Sequence, residues 1–205
     1  MLNSKGFDLW ADGYDKSVGM SDEDGAYPFA GYKQILNVIY NRVLTSKSNT
    51  VLDIGFGTGT LTTKLYEQGC HIWGQDFSGR MIEMAKEKMP KAELFQGDFS
   101  KGLVAELERN RYDTMIATYS LHHLSDEQKI HFIKGILPLL QEGGCLYIGD
   151  IMFETRVELE RNKTLIGEEW DDDECYFVVD ELTKFIPQAK YEKYSFCAGL
   201  LSIKR

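Results

Sequence analysis

The sequence has no excess of basic residues, no paired cysteines and no long apolar run, and each absence closes off a class of function. Its 23 Lys and Arg stand against 32 Asp and Glu, a formal net charge of −9. A protein that holds nucleic acid by neutralising phosphates needs a basic face, so no nucleic-acid partner is expected. The four cysteines (Cys70, Cys145, Cys175 and Cys197) form no C-x-x-C pair and read as thiols of a reducing compartment. No stretch approaches the ~18 apolar residues of a membrane span. The first residues, "MLNSKGFDLWADGYD", lack a basic segment followed by an apolar run. These features read as a cytoplasmic protein with no membrane partner. Internal repeats and low-complexity tracts are absent too.

What remains suits one domain with a sizeable core, or one domain with a small cap, at 205 residues and 43% hydrophobic content. Residues 1–30 are rich in Gly, Asp and aromatics with weak periodicity. In "GYKQILNVIYNRVL", Ile35, Leu36, Ile39 and Val43 recur at helical spacing. From residue 50 to 151, strands and helices alternate. Residues 51–54 make the first strand, "CHIWGQD" the second, "AELFQGD" the third, "YDTMIATYS" the fourth and "CLYIGDI" the fifth. Ser78 caps the helix carrying Met81, Ile82, Ala85 and Met89, which Pro90 stops. A helix is expected near residues 101–109. Ser125 with Gln128 forms a capping box before "KIHFIKGILPLL", and Gly143–Gly144 are expected to close that helix. The alternation predicts an α/β, doubly wound, mostly parallel sheet with helices on both faces. Helical pieces near 154–167 and in "VVDELTKFI" follow. "KYEKYSFC" and "GLLSIK" are joined too tightly for a crossover and predict an antiparallel hairpin.

The stretch "VLDIGFGTGTLTTKL", residues 51–65, carries the chemistry. Glycines at a strand-to-helix turn let a ligand approach the backbone. The dinucleotide fingerprint G-x-G-x-x-G fails, because its third glycine would fall at Thr60. Asp53, near the end of the first strand, is awkward beside a pyrophosphate but suits an ammonium group. Asp76, ending the second strand, can accept hydrogen bonds from both ribose hydroxyls. Asp98, after the third strand, can accept from the amine of adenine. An adenosine bearing an amino acid in place of phosphates satisfies all three, and S-adenosylmethionine is that molecule.

These residues resemble the class I S-adenosylmethionine-dependent methyltransferases. "VLDIGFGTGTLTTKL" looks like their first motif, "GQDFSGRMIEMAKEK" like the acidic loop after the second strand, "FQGDF" like the adenine loop and "YDTMIATYSLHHLSD" like the fourth-strand segment. The resemblance covers roughly residues 30–150, and the N-terminal "FDLWADGYDKSV" is similar to small bacterial members acting on small molecules. Phe56 departs from the smaller residue or Pro common at its position. The resemblance implies a seven-stranded sheet with a C-terminal antiparallel hairpin. It also implies a helical lid over residues 1–45 and a donor-binding domain over 46–205, with 152–180 as additional cover of the acceptor site. The cofactor-binding set it implies is Asp53, Gly55, Gly57, Gly59, Asp76, Phe77, Met81, Asp98, Phe99 and Thr118. Tyr14, in the "YD" of the N-terminus, is placed over the sulfonium, where an aromatic face suits the charge. His122, past the fourth strand, falls where the family lines its acceptor site, and is the candidate for a proton-accepting role.

The adjacent His122 and His123 invite a metal reading. Neighbouring histidines do not easily face one ion, and Asp126 and Glu127 fit the acid-favouring first turn of the next helix, so no metal is expected. The acidic run "EEWDDDE" at 168–174 reads as a solvated loop that could also rim a pocket for a cationic acceptor. Trp10, Tyr14, Tyr27, Phe29, Tyr32, Phe153, Trp170 and Tyr176 are candidates to roof a small-molecule acceptor. The DNA-amine motif N-P-P-[YFW] is absent, as is a cysteine after a proline. The expected activity is methyl transfer to a small molecule by in-line displacement, in a monomer or homodimer. A silent S-adenosylmethionine-binding sensor is the alternative. A nicotinamide-dependent oxidoreductase conflicts with Thr60, Asp53 and the terminal hairpin.

Overall fold

In a computed structural model, residues 25–46 and 48–205 are described. Eight strands form the sheet: β1 Thr50–Ile54, β2 His71–Asp76, β3 Glu93–Gln96, β4 Tyr112–Thr118, β5 Leu140–Phe153, β6 Phe177–Val178, β7 Lys190–Lys193 and β8 Ala198–Lys204. Their order is β3-β2-β1-β4-β5-β8-β7, and β6 pairs separately with the end of β5. The first five strands are parallel, whereas β8 runs antiparallel to both β5 and β7. The expected sheet is therefore present with one strand more, because Phe177 and Val178 pair with Met152 and Phe153 at the end of β5.

Two apolar layers follow from the strand alternation. Val51 and Ile116 point to a cluster shared with Ile35, Ile39, Leu61, Leu65, Ile82 and Ala85. Leu52, Ile54, Met115 and Ala117 point to the opposite cluster, with Leu107, Phe132, Ile133 and Ile136. Helices α1 (Tyr32–Thr45), α2 (Thr60–Glu67) and α3 (Gly79–Lys88) cover the first face. Helices α4 (Ala105–Glu108) and α5 (Asp126–Ile136) cover the second. The α1 stripe Ile35, Leu36, Ile39 and Val43 is buried as its spacing predicts. Its approach depends on Gly149 of β5, where a Cβ would stand 2.4 Å from the Ile35 side chain.

Local signals hold at several ends. Ser78 accepts the Met81 N–H at 3.1 Å, and Ser125 and Gln128 form the reciprocal capping box. Others shift. Helix α5 stops at Ile136 instead of running to Gly143–Gly144, since Pro138 cannot donate to a fourth turn and leads a 3₁₀ turn, Leu137–Leu139. The two glycines lie within β5. The helix expected near 101–109 divides into a 3₁₀ turn, Phe99–Lys101, and the short α4, with Gly102 between them at φ 103°. After β5 come α6 (Arg156–Ile166) and, following β6, α7 (Val179–Leu182). Of "VVDELTKFI", only residues 179–182 are helical, while Val178 pairs in the sheet. No described helix is long and apolar enough to cross a membrane.

Candidate functional site

The predicted cofactor-binding residues gather at the carboxyl ends of β1 to β4, the edge where open α/β sheets bind ligands. Gly55, Gly57 and Gly59 all take positive φ (71°, 55° and 76°), a backbone region costly to side chains. Their surroundings differ. A Cβ at Gly55 would stand 2.4 Å from Cβ of Ser120, whose hydroxyl donates to the Ile54 carbonyl at 2.8 Å. A Cβ at Gly59 would meet the Met89 methyl at 2.9 Å. At Gly57 no described residue lies within 4 Å of such a Cβ. Two glycines therefore let the turn pack against protein, and the third presents bare backbone to open space. Phe56 does not enter that space. Its ring fills the place left by Gly74 of β2, where a Cβ would stand 2.6 Å away.

Two acids flank the turn. Asp76 accepts the Gly57 N–H at 2.8 Å on one carboxylate oxygen and the Ser78 N–H at 2.9 Å on the other. It thereby fixes the glycine turn from both carboxylate oxygens. Asp53 is 1% exposed. Its Oδ2 accepts the Thr62 hydroxyl at 2.6 Å, and its buried Oδ1 has no partner among the described residues. Burial pushes its carboxyl up to about 7, against the Thr62 hydrogen bond and with help from the Asp76 charge. An unpartnered acid oxygen here fits a cationic donor group such as the ammonium of S-adenosylmethionine, and is the wrong sign for a phosphate.

Asp98 is committed locally. It accepts from the Ser100 N–H and hydroxyl at 3.0 and 2.5 Å and pairs with Lys101 at 3.1 Å. Burial would raise its carboxyl, but the Ser100 and Lys101 contacts prevail and hold it low. Phe77 is half-buried after β2, Met81 is buried on the first turn of α3, and Thr118 is half-buried at the end of β4. The half-buried Phe99 ring borders the Gly55 turn and lies 6.1 Å from Phe132. Tyr14 and Trp10 lie outside the described residues.

Past β4 the chain turns through Tyr119 at φ 49° into a 3₁₀ turn, Leu121–His123. The acid nearest His122 is neither Asp126 nor Glu127, its neighbours in sequence. Asp150 of β5, fully buried, meets His122 Nδ1 at 2.6 Å and also accepts the Leu121 and Ile151 N–H groups. Burial would lower the His122 pKa, but the Asp150 charge and hydrogen bond outweigh it and raise it. Glu174, from the run read as a solvated loop, places Oε1 3.4 Å from His122 Nε2. It is brought there by the Cys175 N–H, which donates to the His122 carbonyl at 2.8 Å. Burial raises the Glu174 carboxyl, and burial followed by the His122 charge pushes His123 down to about 3. Above this cluster, Tyr27 stacks on Trp170 with centroids 5.9 Å apart and shares a hydrogen bond with the Tyr176 hydroxyl. Trp170 stands edge-on to Tyr176 at 4.8 Å, and Phe153 closes the group. Asp150 and Glu174 were missed from the sequence. An acid inside the apolar strand "CLYIGDI" was the available signal for Asp150, since a buried carboxylate needs a partner.

The slipping of an antiparallel β8 between β5 and β7 separates this sheet from the six parallel strands of dinucleotide-binding folds, and sets it among the class I methyltransferases. Comparison with known proteins agrees. Residues 51–144 match the family model described as a methyltransferase domain. A protein named as a methyltransferase in Anoxybacillus flavithermus is 38% identical over 154 residues, 75% of this chain and 69% of that one. Another from Alkaliphilus oremlandii is 31% identical over 188 residues, 92% of this chain and 81% of its own. The chain belongs to this methyltransferase family. Among solved structures, magnesium protoporphyrin IX methyltransferase from Synechocystis PCC 6803, with bound S-adenosylhomocysteine, superposes with TM-score 0.68 at 18% identity. The match covers 86% of this chain and 84% of that one, a likeness of fold.

Proposed function

We propose that the protein transfers the methyl group of S-adenosylmethionine to a small-molecule acceptor held over the carboxyl ends of β4 and β5. The observation that carries this reading is the unpartnered, buried Asp53 Oδ1 beside a glycine turn that opens at Gly57. When bound, S-adenosylmethionine supplies a methyl group on a positively charged sulfur and needs no further activation. The chain's task is then to fix two molecules in line and exclude water, which accounts for about 7–11 kcal/mol in well-oriented reactions.

In this reading Asp53 receives the ammonium of the donor and the bare Gly57 backbone admits its amino-acid end. Asp76, at the end of β2, accepts from the ribose hydroxyls. Asp98 accepts from the adenine amine, and Phe77, Met81 and Phe99 flank the ring, with Thr118 at the β4 end. Residues 152–180 cover the acceptor, with Phe153, Trp170 and Tyr176 as its apolar side and His122 and Glu174 as its polar side. A small acceptor is supported by this aromatic cover, which Tyr27 ties down, and by the net charge of −9. Acceptors that ionise readily, such as thiols, or that already present a free lone pair, such as deprotonated amines and carboxylates, need no base from the chain.

Two measurements test the reading. Calorimetry should show one S-adenosylhomocysteine bound per chain, and labelled S-adenosylmethionine should deliver methyl to at least one member of a panel of small thiols, amines and acids. Binding without transfer to any acceptor would favour the sensor alternative. Absence of binding would end both.

A further inference from the structure

We propose that His122, His123 and Glu174 form a binding site for a divalent first-row transition-metal ion. Each offers one ligand atom, and these atoms all lie within 4.8 Å of one another. The tight 3₁₀ turn Leu121–His123 overcomes the ordinary objection to adjacent histidines, setting the two rings edge-to-face with centroids 4.3 Å apart.

The separation between His122 Nε2 and Glu174 Oε1 is informative. At 3.4 Å it is longer than the ~2.7–2.9 Å of a charge-assisted N–H···O bond. Ligands held about 2.0–2.2 Å from a tetrahedral ion are spaced about 3.3–3.6 Å apart, and the observed gap falls there. The supporting groups agree. His122 Nδ1 is already bonded to Asp150 at 2.6 Å, so Nε2 is the ring atom left for a ligand bond. Asp150 is itself fixed by the N–H groups of Leu121 and Ile151, giving the carboxylate–imidazole support that orients metal-ligating histidines. Two carboxylates on one imidazole also gather negative charge that a dication would balance. Two imidazoles and one carboxylate suit Zn²⁺ and its neighbours, not Mg²⁺ or Ca²⁺, and three protein ligands leave a fourth position open.

This site lies outside the donor-binding residues, so its test needs neither donor nor acceptor, and its failure would leave the methyltransferase reading standing. The whole protein, freed of metal by a chelator that is then removed, is titrated with Zn²⁺ by calorimetry and with Co²⁺ by visible absorption. One ion per chain is expected, with tetrahedral-type Co²⁺ absorption and no heat from Mg²⁺. His123→Ala and Glu174→Gln, both at only partly buried positions, should each weaken Zn²⁺ at least about tenfold. Asp150→Asn should weaken it about 10–100-fold with the stoichiometry kept. His71→Ala and His131→Ala should leave binding unchanged. The proposal is overturned if no ion binds, if binding survives a His122→Ala/His123→Ala double variant that still melts cooperatively, or if binding disappears with Cys175→Ser instead.

Discussion

The Asp76 carboxylate and the Gly57 N–H are joined by a 2.8 Å hydrogen bond, so the residue read as a ribose acceptor also holds the glycine turn in shape. Asp76→Ala should therefore fail twice. Losing charge-assisted bonds of about 1.5–3 kcal/mol each should weaken S-adenosylhomocysteine at least about tenfold. Releasing the N–H groups of Gly57 and Ser78 should also cost about 1–3 kcal/mol of stability without ligand. Calorimetry and urea unfolding measure the two separately, and unchanged affinity would remove Asp76 from the donor site.

The three glycines should separate in the same two assays. Gly55→Ala drives a methyl into Ser120 as well as a side chain into positive φ, so stability should fall by more than the strain alone. Gly57→Ala meets no neighbour, and its cost should be the ~1–2 kcal/mol of the left-handed backbone. Donor affinity should nonetheless fall most per unit of lost stability at Gly57, where the open face lies. Equal affinity in Gly57→Ala and the parent would show that the donor does not approach there.

The alternation of strands and helices was legible because it is written locally, in apolar periodicity and in caps such as Ser78 and Ser125. The meeting of Asp53 and Asp76 was legible for a related reason: in a parallel sheet, strand ends share one edge, so the two acids converge wherever the strands pair. Asp150 and Glu174 were not legible. Asp150 reaches His122 through the pairing of β4 with β5, whereas Glu174 depends on how far the segment after α6 folds back, set by the Cys175 N–H bond to the His122 carbonyl, which joins residues 53 positions apart. Similarly, nothing local to "EEWDDDE" distinguishes the inward Glu174 from its solvated neighbours.

Lys129 offers a test of what holds that segment. Its side chain is 1% exposed, and Nζ donates to the Cys175 carbonyl and to Asp126 while lying 4.9 Å from the Phe177 ring. Lys129→Ala should destabilise by about 2–4 kcal/mol, discounted from a fully buried pair because Asp126 is half exposed. Lys129→Met keeps the packed stem and should recover part of that loss. Hydrogen exchange should quicken at residues 170–178 in both. Parent-like protection there in Lys129→Ala would mean that the segment is anchored elsewhere.

Asp53 makes donor binding depend on pH in a definite direction. Its folded pKa, about 7, stands above the ordinary 3.8. The ligand-free folded protein therefore binds more protons than the unfolded chain between those values. The stability this gives is complete below 3.8 and is lost as pH rises through about 7. An arriving ammonium favours the ionised carboxylate, so binding near pH 6 should release a proton, and affinity should fall up to about tenfold per unit as pH drops below about 7. Calorimetry in two buffers of different ionisation enthalpy counts that proton. Asp53→Asn should bind S-adenosylhomocysteine more weakly near pH 7 and lose this pH dependence, yet be no less stable than the parent at pH 8 without ligand. Its amide oxygen can still accept from Thr62 while the burial of a charge is removed. An affinity independent of pH in the parent between about 5.5 and 7, with no proton released, would place the ammonium away from Asp53.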